Sequence, residues 1–187
     1  MNMRTHGFTL IELLIAMAIF AFLIMLAGPM YADFMGNSQI RNAAENTLTG
    51  VRLAQTNAVR NNRPAKVVFD TSPAGGWDVY TFNDETNAYV VLPDNYRWKE
   101  GAAQAVVTPR PPGAATVTFD GLGRVVFNGY PLLADGTASL TEIDVTNPSV
   151  SLSARRDLHV LISAVGGASA TKLCDPAVLA PDPRSCS

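Results

Sequence analysis

The feature that most constrains this chain is an uncharged stretch of eighteen residues, 13–30, close to its N-terminus. A helix of about 20 apolar residues is long enough to cross the hydrocarbon core of a bilayer. Arg4 lies before this stretch, and the next cation after it is Arg41. Because cations favour the cytoplasmic side, we expect the start of the chain in the cytoplasm and the rest beyond the membrane.

The polar start of the chain meets the apolar stretch at Gly7-Phe8. An ordinary secretory signal is cut after its apolar stretch, at a site of small residues, and Pro29 makes that region a poor site. Cleavage between Gly7 and Phe8 would instead remove a short leader and keep the apolar helix. An uncleaved anchor explains the hydropathy as well, but it gives this junction no role.

Glu12 is a carboxylate at the edge of the apolar stretch, where a charge costs about 2.5–3.5 kcal/mol on insertion scales. Thr9 and Glu12 have the spacing of a capping box, which satisfies free amides at a helix start. Alternatively, once the leader is removed, the new amine of Phe8 in a neighbouring subunit would neutralise Glu12. Further along, Pro29 removes a helical hydrogen bond, which predicts a kink or local unwinding near Gly28.

A second helical pattern follows the apolar stretch, with apolar and small residues at steps of three and four. The helix is expected to end near Pro64, because the residue before a proline disfavours helical geometry. The residues on this face are Ile40, Ala44, Thr47, Val51, Ala54 and Ala58.

From residue 64 onward the sequence changes to short alternating segments separated by turn residues, which is typical of antiparallel strands. We predict loops at 102–113 and 130–141. Strands are predicted at 65–70, 77–82, 89–92, 116–119, 124–127, 157–163 and 171–174. The fold class is therefore α+β, with one long N-terminal helix packed on a C-terminal antiparallel β-domain.

The chain divides into four segments on these patterns. They are a leader (1–7), a hydrophobic helix (8–35), the amphipathic half of that helix (36–63) and a β-rich domain (64–187).

The two cysteines, Cys174 and Cys186, lie close together near the C-terminus. They are either free thiols on a tail or a disulfide that closes a loop. We expect the disulfide if the domain lies outside the cytoplasm, where disulfides persist.

Composition argues against several functions. The net charge of −2 gives no bulk basic character for binding nucleic acid. The histidines are His6 and His159, and His159 lies in an apolar strand, where a packed or surface role is expected rather than a ligand role. We therefore predict no metal site, no cofactor and no catalytic site, so the protein is not expected to be an enzyme.

Gly7 followed by Phe8-Thr9-Leu10-Ile11-Glu12 and an apolar helix resembles the class III signal peptide of type IV pilin-like proteins. The resemblance implies that a prepilin peptidase cuts between Gly7 and Phe8 and methylates Phe8. It also implies that Glu12 and Pro29 are the family's assembly glutamate and helix-breaking proline.

The same resemblance implies a single-pass protein of the bacterial inner membrane, with a cytoplasmic N-terminus and a periplasmic domain, which later enters a pilus or pseudopilus. Its implied partners are the prepilin peptidase, other major and minor pilins or pseudopilins, the inner-membrane assembly platform, and membrane lipid before assembly.

The remainder is similar to the GspH/FimT branch of minor pilins and pseudopilins. The residues that carry this likeness are the helix end at 61–64, the strand 67–69, the hairpin 119–123, the segment 173–176 and Cys186. The branch implies a two-sheet or continuous β-domain docked on the helix. It also implies a minor pilin that initiates or caps type IV pilus assembly, with roles in twitching motility, adhesion or uptake. A type II secretion pseudopilin and a DNA-binding tip pilin for competence are the alternatives.

Some members of that branch bind DNA through a Gly-Arg-x-Arg motif in the last hairpin. The corresponding residues here, 167–170, lack both arginines, so DNA is not an expected partner. The cations that remain as candidate DNA contacts are Arg155, Arg156, Lys172 and Arg184.

Overall fold

The computed structural model describes residues 9–72, 74–165 and 168–186. Its first element is a single helix, α1 (Leu10–Asn61), of 52 residues. At 1.5 Å per residue this helix is about 78 Å long. It ends at Asn62, which has left-handed backbone angles and donates its amide to the last helical turn. The end predicted near Pro64 is therefore confirmed.

The helix runs without interruption through Gly28 and Pro29, so the local unwinding that was one of the two predicted outcomes does not occur. The other outcome, a kink near Gly28, stays a prediction. A proline removes one backbone hydrogen bond. The helical bonds on both sides of that gap still hold the neighbouring turns, and one lost bond does not end a helix of this length.

In the part of the chain that the structure describes, nine strands follow the helix and form two antiparallel sheets. They are β1 (Ala65–Asp70), β2 (Gly76–Asn83), β3 (Ala88–Arg97), β4 (Val106–Arg110), β5 (Thr116–Phe119), β6 (Val125–Val126), β7 (Glu142–Thr146), β8 (Leu158–Val165) and β9 (Ala168–Cys174). The first sheet has the order β3-β2-β1-β5-β6 and the second has the order β4-β7-β8-β9. The α+β class is confirmed, and the β-domain has two sheets, one of the two arrangements that the family resemblance allows.

Two strand predictions need correction, and both involve proline. Residues 102–113 were predicted as a loop, but they contain β4, with Pro109 opposite Ile143 of β7. The predicted strand 89–92 also continues through Pro93 to Arg97. Both β4 and β3 are edge strands, where a missing N–H can face away from the sheet, so proline does not exclude a strand there. The strand β7 was not predicted.

The second half of α1 docks on both sheets. All six residues of the predicted helical face are fully buried. The contact is close at Gly50, where an added Cβ would lie 2.7 Å from the Trp77 ring. It is close again at Gly36, where a Cβ would lie 2.2 Å from a Val150 methyl. Tight packing of this kind fixes the helix against the domain.

The first half of α1 makes no such contact, and no residue from 9 to 35 is buried. Large apolar side chains along this half are exposed, for example Leu14, Phe20 and Met25. The helix is long and apolar enough to cross a membrane by its length and composition.

Candidate functional site

The start of α1 carries the residues that the signal resemblance singled out. Thr9 is the N-cap, and its hydroxyl accepts a hydrogen bond from the Glu12 amide at 3.3 Å. This bond is the Thr half of the predicted capping box. Gly7 and Phe8 lie outside the described residues, so their placement stays a prediction.

The Glu12 side chain lies on the exposed helix surface and borders a shallow groove. The rest of the groove is formed by apolar side chains within about two turns after Glu12: Leu13, Ala16, Met17 and Phe20. A carboxylate beside an apolar groove suits contact with another helix that supplies a cation, because an unpaired charge in an apolar environment is costly. Pro29 is also exposed, and nothing lies within 4 Å of an added Cβ at Gly28.

The helix meets the domain where its apolar half ends. Asp33 accepts hydrogen bonds from the backbone and the hydroxyl of Ser151, both at 3.2 Å. One turn later, the Asn37 amide donates to the Ala154 carbonyl and its oxygen accepts from the Arg156 amide, both at 2.9 Å. These contacts fix the segment 147–156 at the junction of the two halves. No local sequence pattern predicts these contacts, because the bonded residues are more than a hundred positions apart.

The C-terminal tail is closed by a disulfide between Cys174 and Cys186, whose Cα atoms are 5.0 Å apart. The predicted pairing is present. Arg184 also donates two hydrogen bonds to Asp182. This side-chain bonding, with help from the Arg184 amide, lowers the pKa of Asp182 to about 2.

The four candidate DNA contacts do not form one patch. Arg156 and Arg184 border a groove between α1 and the tail, where Arg41 is the third cation. Arg155 instead pairs with Asp157 at 2.9 Å, and Lys172 lies in β9 opposite Leu161. Glu45 pairs with Arg41, and Asp182 pairs with Arg184, so acidic groups offset two cations of the groove. The last hairpin's residues 166 and 167 lie outside the described residues.

The outer face of the second sheet brings together a cluster that the sequence analysis did not find. His159 Nδ1 lies 2.7 Å from Glu142 Oε1 and 3.5 Å from Asp144 Oδ1. Asp144 also accepts from Arg110 through its other oxygen, Oδ2, at 2.5 Å. His159 is thus partly buried and bonded to Glu142, and the expectation that it is not a ligand stays a prediction. The cluster itself could not be predicted, because it depends on the register between β7 and β8.

A long apolar helix that docks only its second half on an antiparallel β-domain defines a pilin-like protein. The prokaryotic N-terminal methylation motif matches residues 2–28 of this chain. The family model described as type II transport protein GspH matches residues 43–166, and the chain belongs to that family.

The protein is therefore a pilin or pseudopilin of type IV pili or type II secretion, and its family consists of structural subunits, not known enzymes. The methylation motif implies processing by a prepilin peptidase and fits membrane anchoring of the chain. No curated protein and no solved structure matches the chain significantly.

Proposed function

We propose that this protein is a minor pilin that initiates or caps type IV pilus assembly. The observation that carries the proposal is the division of α1 into two halves. Residues 10–35 are apolar and exposed, whereas the face from Ile40 to Ala58 is fully buried against the sheets. An exposed apolar surface of this length requires a bilayer or other helices around it. Lipid covers it before assembly, and the helices of neighbouring pilins cover it in the filament.

Cleavage and methylation prepare the helix to leave the lipid and pack against the helices of neighbouring pilins. A prepilin peptidase cuts between Gly7 and Phe8, removes the leader 1–7 and methylates Phe8. The freed amine of Phe8 then neutralises Glu12 of an adjacent subunit at nearly the same membrane depth. The exposed position of Glu12 beside an apolar groove supports this pairing. Pro29 lies about three-quarters of the way along the apolar half and gives the helix a place to bend within the filament.

The orientation follows from charge and redox chemistry. With Arg4 in the cytoplasm, the apolar part of 8–35 crosses the inner membrane once, and the helix continues to Asn61 outside it. The domain 64–187 is then periplasmic. The bond between Cys174 and Cys186 supports this orientation, because disulfides persist in the periplasm and are rare in the cytosol. The inner-membrane assembly platform is the partner expected to move the subunit into the filament.

A pseudopilin of type II secretion is the second candidate, and the description of the matching family model as a type II transport protein favours it. The helix requirements of the two machines are the same. The third role, a DNA-binding tip pilin, has less support, because only two of the four candidate cations share a groove.

The test is a strain that lacks this gene, complemented with the wild-type chain or with an empty vector. Surface pili are counted by electron microscopy, and secreted proteins are compared on gels from the same cultures. We expect loss of pili with normal secretion, restored by the wild-type chain. Loss of secretion with normal pili would replace the first candidate by the second.

A further inference from the structure

The cluster on the outer face of the second sheet has the composition of a metal site. It contains one imidazole nitrogen and two carboxylate oxygens, from His159, Glu142 and Asp144, and the three ligand atoms lie within 4.8 Å of one another. The side chains are 16–29% exposed, so the cluster is partly shielded and still open to an entering ion.

The sheet itself holds these side chains in place. Glu142 and Asp144 are two residues apart on β7 and so point to the same face. The register of β7 with β8 puts Asp144 directly opposite His159, and Glu142 is the diagonal neighbour. These three side chains stand on two hydrogen-bonded strands, so the backbone has already fixed where they start. Binding an ion therefore costs little additional conformational entropy.

The distances suit a small divalent cation. Ligands placed tetrahedrally about 2.0–2.2 Å from a zinc ion lie about 3.3–3.6 Å apart. The separation of His159 Nδ1 from Asp144 Oδ1 is already 3.5 Å. The 2.7 Å separation of His159 Nδ1 from Glu142 Oε1 requires the Glu142 carboxylate to withdraw by less than 1 Å.

Asp144 supplies an independent indication of a ligand. Its Oδ1 atom is shielded from solvent and has no hydrogen-bond partner among the described residues, although its side chain is charged. Arg110 holds only Oδ2 of that carboxylate. In protein metal sites, a carboxylate that binds the metal is usually held in place by a hydrogen bond from a neighbouring side chain, as Arg110 holds Asp144 here. Two carboxylates and one arginine leave a net charge of −1 to receive a divalent cation.

We propose that Glu142, Asp144 and His159 form a Zn²⁺ site that ties β7 to β8 on the outer face of the second sheet. Zn²⁺ is the preferred ion because it accepts both imidazole nitrogen and carboxylate oxygen as ligands, whereas Mg²⁺ prefers oxygen ligands alone. Water completes the coordination. The proposed site is at odds with the expectation, drawn from the sequence, that this chain holds no metal, and it does not depend on the proposed role in pilus assembly.

The test uses the full chain in detergent, with a histidine-free affinity tag and with His6→Gln in every protein. Since the chain has two histidines, His159 is then the sole imidazole. After treatment with EDTA, Zn²⁺ and Mg²⁺ are titrated by calorimetry. We expect saturation at one Zn²⁺ per chain and no saturable binding of Mg²⁺. Absence of saturable Zn²⁺ binding would overturn the proposal.

Variants locate the site. His159→Gln and Glu142→Gln should each weaken Zn²⁺ binding by about tenfold or more. Asp78→Asn is the matched control, because Asp78 is also a strand carboxylate paired with an arginine, Arg97, but lies in the first sheet. Equal affinity in His159→Gln and Asp78→Asn would refute the assignment.

A second measurement does not depend on the variants being folded. X-ray absorption at the zinc edge of the loaded protein should show one histidine with oxygen ligands and no sulfur. A zinc environment without histidine scattering would contradict the site.

Discussion

Gly50 is the position where the docking of α1 can be tested most sharply. It lies in the middle of the docked half of the helix, and Trp77 of β2 covers it. A Cβ at residue 50 would meet three ring atoms of Trp77 at 2.7, 2.9 and 3.0 Å. The ring is 4% exposed and stacks on Tyr96, so it has little room to move away.

The Gly50→Ala change has two opposing effects on stability. Alanine raises helix propensity by about 1 kcal/mol relative to glycine. Carbon atoms in contact prefer separations of about 3.5–4.0 Å, so the ring would have to shift by roughly 0.5–1 Å. Overpacking of a well-packed core costs about 1–3 kcal/mol. We expect the clash to exceed the propensity gain, with a net loss of about 1 kcal/mol in the free energy of unfolding.

The measurement is denaturant unfolding of the full chain in detergent, followed by circular dichroism. Thr56→Ala is the control, because it also raises helix propensity but lies on the exposed side of the same helix. It should be neutral or slightly stabilising. In a Trp77→Leu background, Gly50→Ala should become neutral or stabilising, since the smaller side chain leaves space. If Gly50→Ala stabilises the protein that keeps Trp77, the docked geometry of this half of α1 is wrong.

Three further predictions concern the leader, the tail and the β5–β6 hairpin. Gly7→Val should block leader removal, and a mature protein that begins with methylated Phe8, detected by intact-mass spectrometry, would contradict the cleavage site. The double variant Cys174→Ser and Cys186→Ser should lower the free energy of unfolding by about 2–3 kcal/mol, and the wild type under reductant should match it. Unchanged stability would show that the tail closure does not stabilise the fold.

The third prediction concerns Asp120, in the turn of the β5–β6 hairpin. Burial alone would raise its pKa, but bonds from the Arg124 side chain and from two backbone amides lower it overall. Because the folded-state pKa is below the unfolded value, Asp120 stabilises the fold above about pH 4 and loses this contribution on further acidification. Asp120→Asn should therefore flatten the fall in stability below pH 4, and parallel curves would contradict this.

The helix and its signal could be predicted from the sequence because their patterns are local. The buried face from Ile40 to Ala58 follows from spacings of three and four residues, and the Thr9 cap follows from one spacing of three. The end near Pro64 follows from one proline. Each of these features depends on residues within a few turns of one another, so the local sequence is enough to predict it.

The missed features depend on contacts between distant segments. Proline suggested a loop at 102–113, but β4 is an edge strand and tolerates Pro109. The contact between Asp33 and Ser151 spans 118 residues. The pairing of Asp144 with His159 requires a particular register of β7 on β8, which no local pattern specifies. Topology and register decide such contacts, and a single sequence leaves both open.

In the proposed assembly, α1 leaves the lipid for a filament because Glu12 pairs with a cation on a neighbouring subunit. The most direct measurement compares Glu12→Ala with the wild type in cell membranes and in sheared filaments, by quantitative immunoblotting. Leu14→Ala, which trims an exposed side chain outside the groove without removing a charge, is the control. We expect normal amounts of Glu12→Ala in membranes, almost none in filaments, and near-normal incorporation of Leu14→Ala. Wild-type amounts of Glu12→Ala in sheared filaments would refute the pairing of Glu12 with a neighbouring subunit.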